Sequence, residues 1–242
     1  MQAAIVTGVS RGLGEALAAA MLARGFAVLG VGRTASGKLK GKLYHYVACD
    51  LARPALMAAA VTPALRKLAG QGPDAVTLIN NAAVPTPTGL IGHLDAAEIE
   101  AALSTNAAAA VVMADLFLRT FATDAVERRI INISSGAAQT AIAGSAVYSM
   151  SKAALEMLTR SIASEHTEPH FRCVSLRPGI FETGMQAYMR SRDPAEFPSV
   201  GMFRGFKENG LLKDPADVAA RIVDKLVLGP IENGRTYNHT DL

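Results

Sequence analysis

Ala3-Ala4-Ile5-Val6-Thr7-Gly8-Val9-Ser10-Arg11-Gly12-Leu13-Gly14 starts as a short apolar run and ends in glycines, and Glu15 to Arg24 continues it with helical apolar spacing. This predicts a strand, a tight turn and a helix. Glycines at the turn let backbone approach a pyrophosphate, whose charge the helix N-terminus favours. The spacing is Gly-x-x-x-Gly-x-Gly, not the commoner Gly-x-Gly-x-x-Gly, so the turn needs support from the rest of the chain.

That support is an alternation of strands and helices. Strands are predicted at Phe26 to Gly32, Leu43 to Cys49, Ala75 to Ile79, Ile130 to Ile133, Phe171 to Leu176 and Arg235 to Asn238. Helices are predicted at Pro54 to Leu68, Asp95 to Leu103, Ala107 to Phe121, around Tyr148, and at Pro215 to Leu228 with Asp214 as N-cap. The stretch from Gly184 to Gly210, rich in Met, Phe, Pro and Gly, reads as irregular and as a lid. The alternation predicts an α/β fold with one doubly wound parallel sheet.

Composition narrows the function classes. The chain has 242 residues, 50% of them apolar and 19% charged, which suits one globular α/β domain. A net charge of +3, without clustering, gives no reason to expect nucleic acid or a membrane surface as partner. Met1 to Val6 lacks the basic start of a signal peptide, and the apolar run Ala107 to Ala114 is cut by Asp115 before it could span a bilayer. Cys49 and Cys173 stand apart in apolar contexts and read as buried thiols in a reducing, cytoplasmic compartment.

The chemistry-bearing stretch is Ser134-Ser135 followed by Tyr148-Ser149-Met150-Ser151-Lys152. Tyr148 and Lys152 share a helix face, one turn apart. A lysine ammonium beside a phenol favours the phenolate and lowers its pKa from near 10, so that it can exchange a proton with a carbonyl or alcohol oxygen. Ser135, at the end of a predicted strand, can reach the same substrate oxygen. Alone, a Tyr-x-x-x-Lys pair is usually a solvated helix face, so the reading rests on the wider constellation. Arg33, at the end of the second strand, suits a ribose 2′-phosphate where an acid would select a free 2′-hydroxyl, with Arg11 as a second candidate. An exposed loop arginine is the alternative, and the position at the strand end favours the phosphate role. Asp50 can reach an adenine or cap a turn, Asn80-Asn81 can hold backbone or cofactor, and Asn106 marks a helix kink.

Thr7-Gly8-x-x-x-Gly12-x-Gly14, Asn80-Asn81-Ala82, Asn106, Ser135, Tyr148-x-x-x-Lys152 and Pro178-Gly179 stand in the order and spacing of the short-chain dehydrogenase/reductases, which the whole chain resembles. The resemblance implies a Rossmann-like sheet of about seven strands, a single domain over 1–242 with a substrate lid around 180–212, and NAD(P)-dependent hydride transfer at a carbonyl or alcohol. It implies Tyr148 as general acid/base, Ser135 as the group that orients the substrate oxygen, and Lys152 as ribose ligand and modulator of the tyrosine. Asn106 would hold a relay water. Gly8, Ser10, Arg11, Gly12, Leu13, Gly14, Arg33, Asp50, Leu51, Asn81, Ala82, Tyr148, Lys152, Pro178, Gly179, Ile180 and Thr183 would line NADP(H). Ala83 departs from the glycine usual in the family.

Within the family, Pro178 to Arg190, Phe203 to Leu212 and Glu232 to Tyr237 resemble bacterial benzil reductases, relatives of the sepiapterin reductases. The resemblance implies a small-molecule carbonyl substrate, either an apolar 1,2-diketone or, in the sepiapterin manner, a pteridine ketone. Asn238, where that branch has an acid, speaks against the pteridine. Met185, Tyr188, Met189 and Phe203 are the candidate substrate contacts; a patch covering the core is the alternative. A non-catalytic NADP-binding sensor is the other function class. Alanines, leucines and methionines on the helices around 107–121 and 146–164 predict a symmetric dimer or tetramer, as in related proteins.

Overall fold

The computed structural model describes residues 1–123 and 125–242. Seven strands form one parallel sheet: β1 (Gln2–Thr7), β2 (Ala27–Gly32), β3 (Tyr44–Ala48), β4 (Ala75–Asn80), β5 (Glu127–Ile133), β6 (Phe171–Arg177) and β7 (Thr236–Asn238), in the order β3-β2-β1-β4-β5-β6-β7. This is a Rossmann-like doubly wound fold. The order reverses between β1 and β4, which lie side by side with Ile5 opposite Leu78.

Parallel strands covered on both faces are near-continuous apolar runs, and Ala3 to Val6 of β1 meets that demand. Ala3 and Ile5 enter the core on one face and Ala4 and Val6 the core on the other, the two-residue period of a strand. Helices α1 (Gly12–Ala23) and α8 (Pro215–Ile222) cover the second face, through Leu13, Leu17, Met21, Val218 and Ile222. On the first face lie α2 (Pro54–Ala69), α4 (Ala109–Thr120), which follows α3 (Ala96–Leu103), and α5 (Ala146–Glu165). Met57, Val61, Leu65, Met113, Phe117 and Ile162 pack there.

Two segments differ from expectation. Residues 96–120 form one continuous helical stretch in which Ser104–Ala108 is a π-helical turn around Asn106, so the kink is a bulge, not a break. The 25-residue stretch is long and apolar enough to cross a membrane. Here it instead buries Ala102, Asn106, Ala110, Met113 and Phe117 in the protein while Glu100, Val111 and Asp115 face outward. The second difference lies between 184 and 210, which is ordered: α6 (Gly184–Arg190) and α7 (Val200–Glu208) hold a small core of Met189, Phe197, Val200 and Phe203. Pro194 and Pro198 interrupt the helical periodicity between them, which hid both helices from a sequence reading.

Phe117 is fully buried and stacks on Phe121 with ring centroids 5.2 Å apart. Phe117→Ala should cost about 3–5 kcal/mol. Urea unfolding checks this as a lowered midpoint with an unchanged m-value.

Candidate active site

The C-terminal ends of β1, β4, β5 and β6 carry most of the residues singled out from sequence. At the switch between β1 and β4, the Thr7 hydroxyl accepts hydrogen bonds from the backbone N–H groups of Asn81 (3.0 Å) and Ala82 (3.1 Å). The Asn81 amide nitrogen donates to the Thr7 carbonyl at 2.9 Å and to that of Gly8 at 3.3 Å. Asn81 therefore pins the end of β4 to the glycine turn. Asn80 works sideways, donating to the Asn132 amide oxygen at 2.9 Å.

The glycine turn has the shape that a dinucleotide needs. Gly8 and Gly12 have φ of +75° and +63°, which L side chains rarely adopt. A Cβ on Gly14 would stand 2.2 Å from the Gly8 carbonyl oxygen. Arg11, the N-cap of α1, makes no side-chain cap hydrogen bond, so the first N–H groups of the helix remain available to an anion. Ser10, Arg11, Arg33 and Asp50 are exposed around this end, while Leu13 and Leu51 are buried beneath it. Asp50 also takes up the turn role, accepting from Ala52 N–H at 3.1 Å. Thr183, on the far side of the turn, is the N-cap of α6 and would lie 3.5 Å from a Cβ on Gly12. Pro178 is buried; Gly179 has φ +81° and a Cβ there would meet His239 at 2.9 Å; the Ile180 carbonyl accepts from Lys213 N–H at 3.3 Å. These residues fit a nicotinamide dinucleotide.

The reacting end is built on α5. Lys152 is 2% exposed, and its ammonium donates to the Ile133 carbonyl at 2.8 Å and lies 5.6 Å from the Tyr148 ring centroid. Burial pulls its pKa down to about 8. Burial pushes the Tyr148 phenol up to about 12, against a smaller lowering by the hydrogen-bonding hydroxyl of Ser135. This reverses the expected lowering of the tyrosine by Lys152. The ammonium sits over the ring and bonds a carbonyl, so desolvation of the phenolate dominates. Ser135 also accepts from Ala137 N–H at 3.2 Å, which fixes its rotamer.

Asn106 is 1% exposed and clamps the Val84 backbone, accepting from its N–H at 2.8 Å and donating to its carbonyl at 2.9 Å. It also donates to the Ser151 hydroxyl at 3.2 Å, which donates to the Tyr148 carbonyl at 2.7 Å. Thr7 and Ser151 were given no role from sequence. A hydroxyl at a buried strand end and one between Tyr148 and Lys152 were the available signals. Of the four candidate substrate contacts, Met189 and Phe203 are buried in the small core between α6 and α7, and Met185 and Tyr188 keep open surface. Tyr188 reaches Thr88 with an O···O distance of 3.2 Å.

Residues 2–194 match the family model of the short chain dehydrogenases. The chain belongs to that family. It is an oxidoreductase of the nicotinamide-dependent, carbonyl-reducing kind. The benzil reductase ((S)-benzoin forming) of Bacillus subtilis is 32% identical over 240 residues, 98% of each chain. The benzil reductase of Bacillus cereus is 28% identical over 92% of each. The crystal structure of the KRED1-Pglu enzyme superposes with a TM-score of 0.85 at 28% identity, over 98% of this chain and 100% of that one.

Gly14→Ala places a methyl group against the Gly8 carbonyl, so it should lower the thermal midpoint and weaken binding of the reduced nicotinamide cofactor. Thermal melts and the fluorescence of bound NADH and NADPH check both.

Proposed function

We propose that this short-chain dehydrogenase is an NADPH-dependent reductase of apolar 1,2-diketones, giving hydroxyketones. The observation that carries the mechanism is the buried Lys152 ammonium lying over the Tyr148 ring one helical turn away, at 5.6 Å from its centroid, while burial pushes the phenol's pKa up. The likeness to two benzil reductases supports the substrate class.

A nicotinamide cofactor, when bound, would supply hydride for the carbonyl carbon. Ser135 donates a hydrogen bond to the substrate oxygen and places it against Tyr148. As charge develops on that oxygen, the phenol proton moves to it. The phenolate left behind is stabilised by the Lys152 ammonium, and Asn106 holds the π turn through which a relay water returns the proton. A phenol that keeps its proton at neutral pH suits the reductive direction.

Gly8, Ser10, Arg11, Gly12, Leu13, Gly14, Asp50, Leu51, Asn81, Ala82, Pro178, Gly179, Ile180 and Thr183 line the cofactor in this reading. Arg33 meets the 2′-phosphate. Lys38 is less suited to that role because it pairs with Glu15 at 3.1 Å. Residues 180–212 act as the lid of a single domain, with Met185 and Tyr188 toward substrate and Met189 and Phe203 holding the lid together. Exposed Val111, Met150 and Met157 on α4 and α5 form the contact of a symmetric dimer or tetramer. The free, buried thiols of Cys49 and Cys173 fit the reducing cytoplasm.

The pteridine alternative loses ground at the last strand. Asn238 accepts from Arg177 at 3.3 Å, and the Asp241 carboxylate turns back to accept from Asn238 N–H at 2.7 Å. A sensor would not require Asn106, Ser135, Tyr148 and Lys152 together.

Three measurements test the reading. NADPH should exceed NADH in kcat/KM by roughly ten- to hundredfold, the worth of one charge-assisted phosphate contact, and Arg33→Ala should remove most of that margin. Equal constants would refute the cofactor assignment. In a panel of benzil, a small aliphatic diketone, sepiapterin and a sugar alcohol, the diketones should lead. A clear win for sepiapterin or the sugar alcohol would end the diketone reading. The third is pH dependence: Lys152, at about 8, holds its charge below that pH and loses it above, while Tyr148 stays protonated to about 12. Because kcat/KM for NADPH reports the free enzyme, it should fall as pH rises through about 8. A flat profile up to pH ~10 would contradict the role of Lys152.

A further inference from the structure

Next to the reacting residues lies an ion pair that the mechanism does not use. Glu156, one turn beyond Lys152 on α5, receives Arg177 in a two-pronged contact: Nε to Oε1 at 2.7 Å and Nη2 to Oε2 at 2.6 Å. Both side chains are largely buried, at 13% and 12% exposure, so the pair is far less screened than one on the surface. The Ser134 hydroxyl donates to the same Oε1 at 2.7 Å and lies 3.3 Å from the Lys152 carbonyl oxygen. Arg177 also donates to Asn238 at 3.3 Å.

The positions joined are telling. Ser134 precedes Ser135, Glu156 follows Lys152 by one turn, Arg177 precedes the Pro178-Gly179 turn, and Asn238 ends β7. One carboxylate thus ties together the strand ends and the helix whose neighbouring residues must converge on one substrate and one cofactor. Lys152 and Glu156 stand four residues apart on one face of α5, where the ammonium bonds the Ile133 carbonyl and the carboxylate bonds the adjacent Ser134.

We propose that Glu156 and Arg177 are a positioning pair: together they hold Lys152 and the Pro178-Gly179 turn in register, and their charges cancel at the Lys152 ammonium. The inference rests on the assignment of Lys152 and the Pro178-Gly179 turn to the cofactor. The ammonium itself meets the Ile133 carbonyl at the end of β5 and the ring of Tyr148 from its own helix, neither of which carries a full charge while the phenol is protonated. Glu156 and Arg177 are the full charges bonded to the next turn of the same helix, and their removal one at a time should be felt at Lys152.

The test is direct titration of Lys152 in cofactor-free protein by carbon-detected NMR of labelled lysine, with Lys152→Met identifying the resonance. Glu156→Gln leaves the arginine uncompensated and should lower the Lys152 midpoint by about one unit; Arg177→Gln leaves the carboxylate and should raise it by about as much. No shift, or shifts of the same sign, would overturn the proposal. A purely structural role would not produce opposite signs. Replacing both partners of a buried pair is better tolerated than replacing one, so E156Q/R177Q guards against a single variant that does not fold. In it Lys152 should titrate as in the unmodified chain, while NADPH fluorescence should show affinity weakened about tenfold. A moved Lys152 midpoint or an unweakened affinity in that double variant would equally overturn the proposal. Because the NMR readout needs no turnover, failure of the pair and failure of the reductase reading are told apart.

Discussion

The structure turns on one buried cation. An ammonium at 2% exposure is tolerable only if its protons are bonded, and the Ile133 carbonyl, at the last residue of β5, accepts one at 2.8 Å. That contact fixes the height and rotation of α5 against the sheet. It thereby fixes Tyr148 one turn earlier and brings it to Ser135 just beyond the same strand. The alternation of strand and helix delivers these pieces to one end of the sheet, and the hydrogen bond sets their final spacing.

Burial acts oppositely on the two titratable partners. It disfavours the charged form of each, which for lysine means a proton lost more easily and for tyrosine a proton held more tightly. The pair therefore sets a phenol that keeps its proton beside a cation whose pKa burial draws down to about 8. Around them neutral amides and hydroxyls bond one another, Asn106 with Val84 and Ser151, Asn81 with Thr7 and Gly8, and Asn132 with Asn80 and Thr159, and the nearest full charges are paired, Glu156 with Arg177. Such a frame supplies fixed dipoles with little net charge.

The fold was legible because β1, β4 and the Ile130 to Ile133 end of β5 are largely apolar runs too short for helices and the glycine turn sits between a strand and a helix. Asn106, Ser135, Tyr148 and Lys152 were legible as a joint spacing, although none would stand alone. What could not be read was set by tertiary contact. The phenol's shift depends on where the ammonium points. The helices α6 and α7 depend on a private core of Met189, Phe197, Val200 and Phe203. The bond between Glu156 and Arg177 joins residues 21 apart in sequence, and no local pattern announces it.

The central claim is that the Tyr148 phenol is the proton donor for ketone reduction. Replacing it by phenylalanine removes one oxygen and leaves the ring, the buried ammonium and the cofactor cradle in place. Single-turnover reduction of benzil by NADPH-loaded Tyr148→Phe protein measures the chemical step apart from binding. The account predicts a loss of at least 10²-fold in that step, the scale of a lost general acid, with NADPH affinity within about threefold of the unmodified chain. A variant that retained a tenth or more of the rate would place the acid elsewhere and contradict the account.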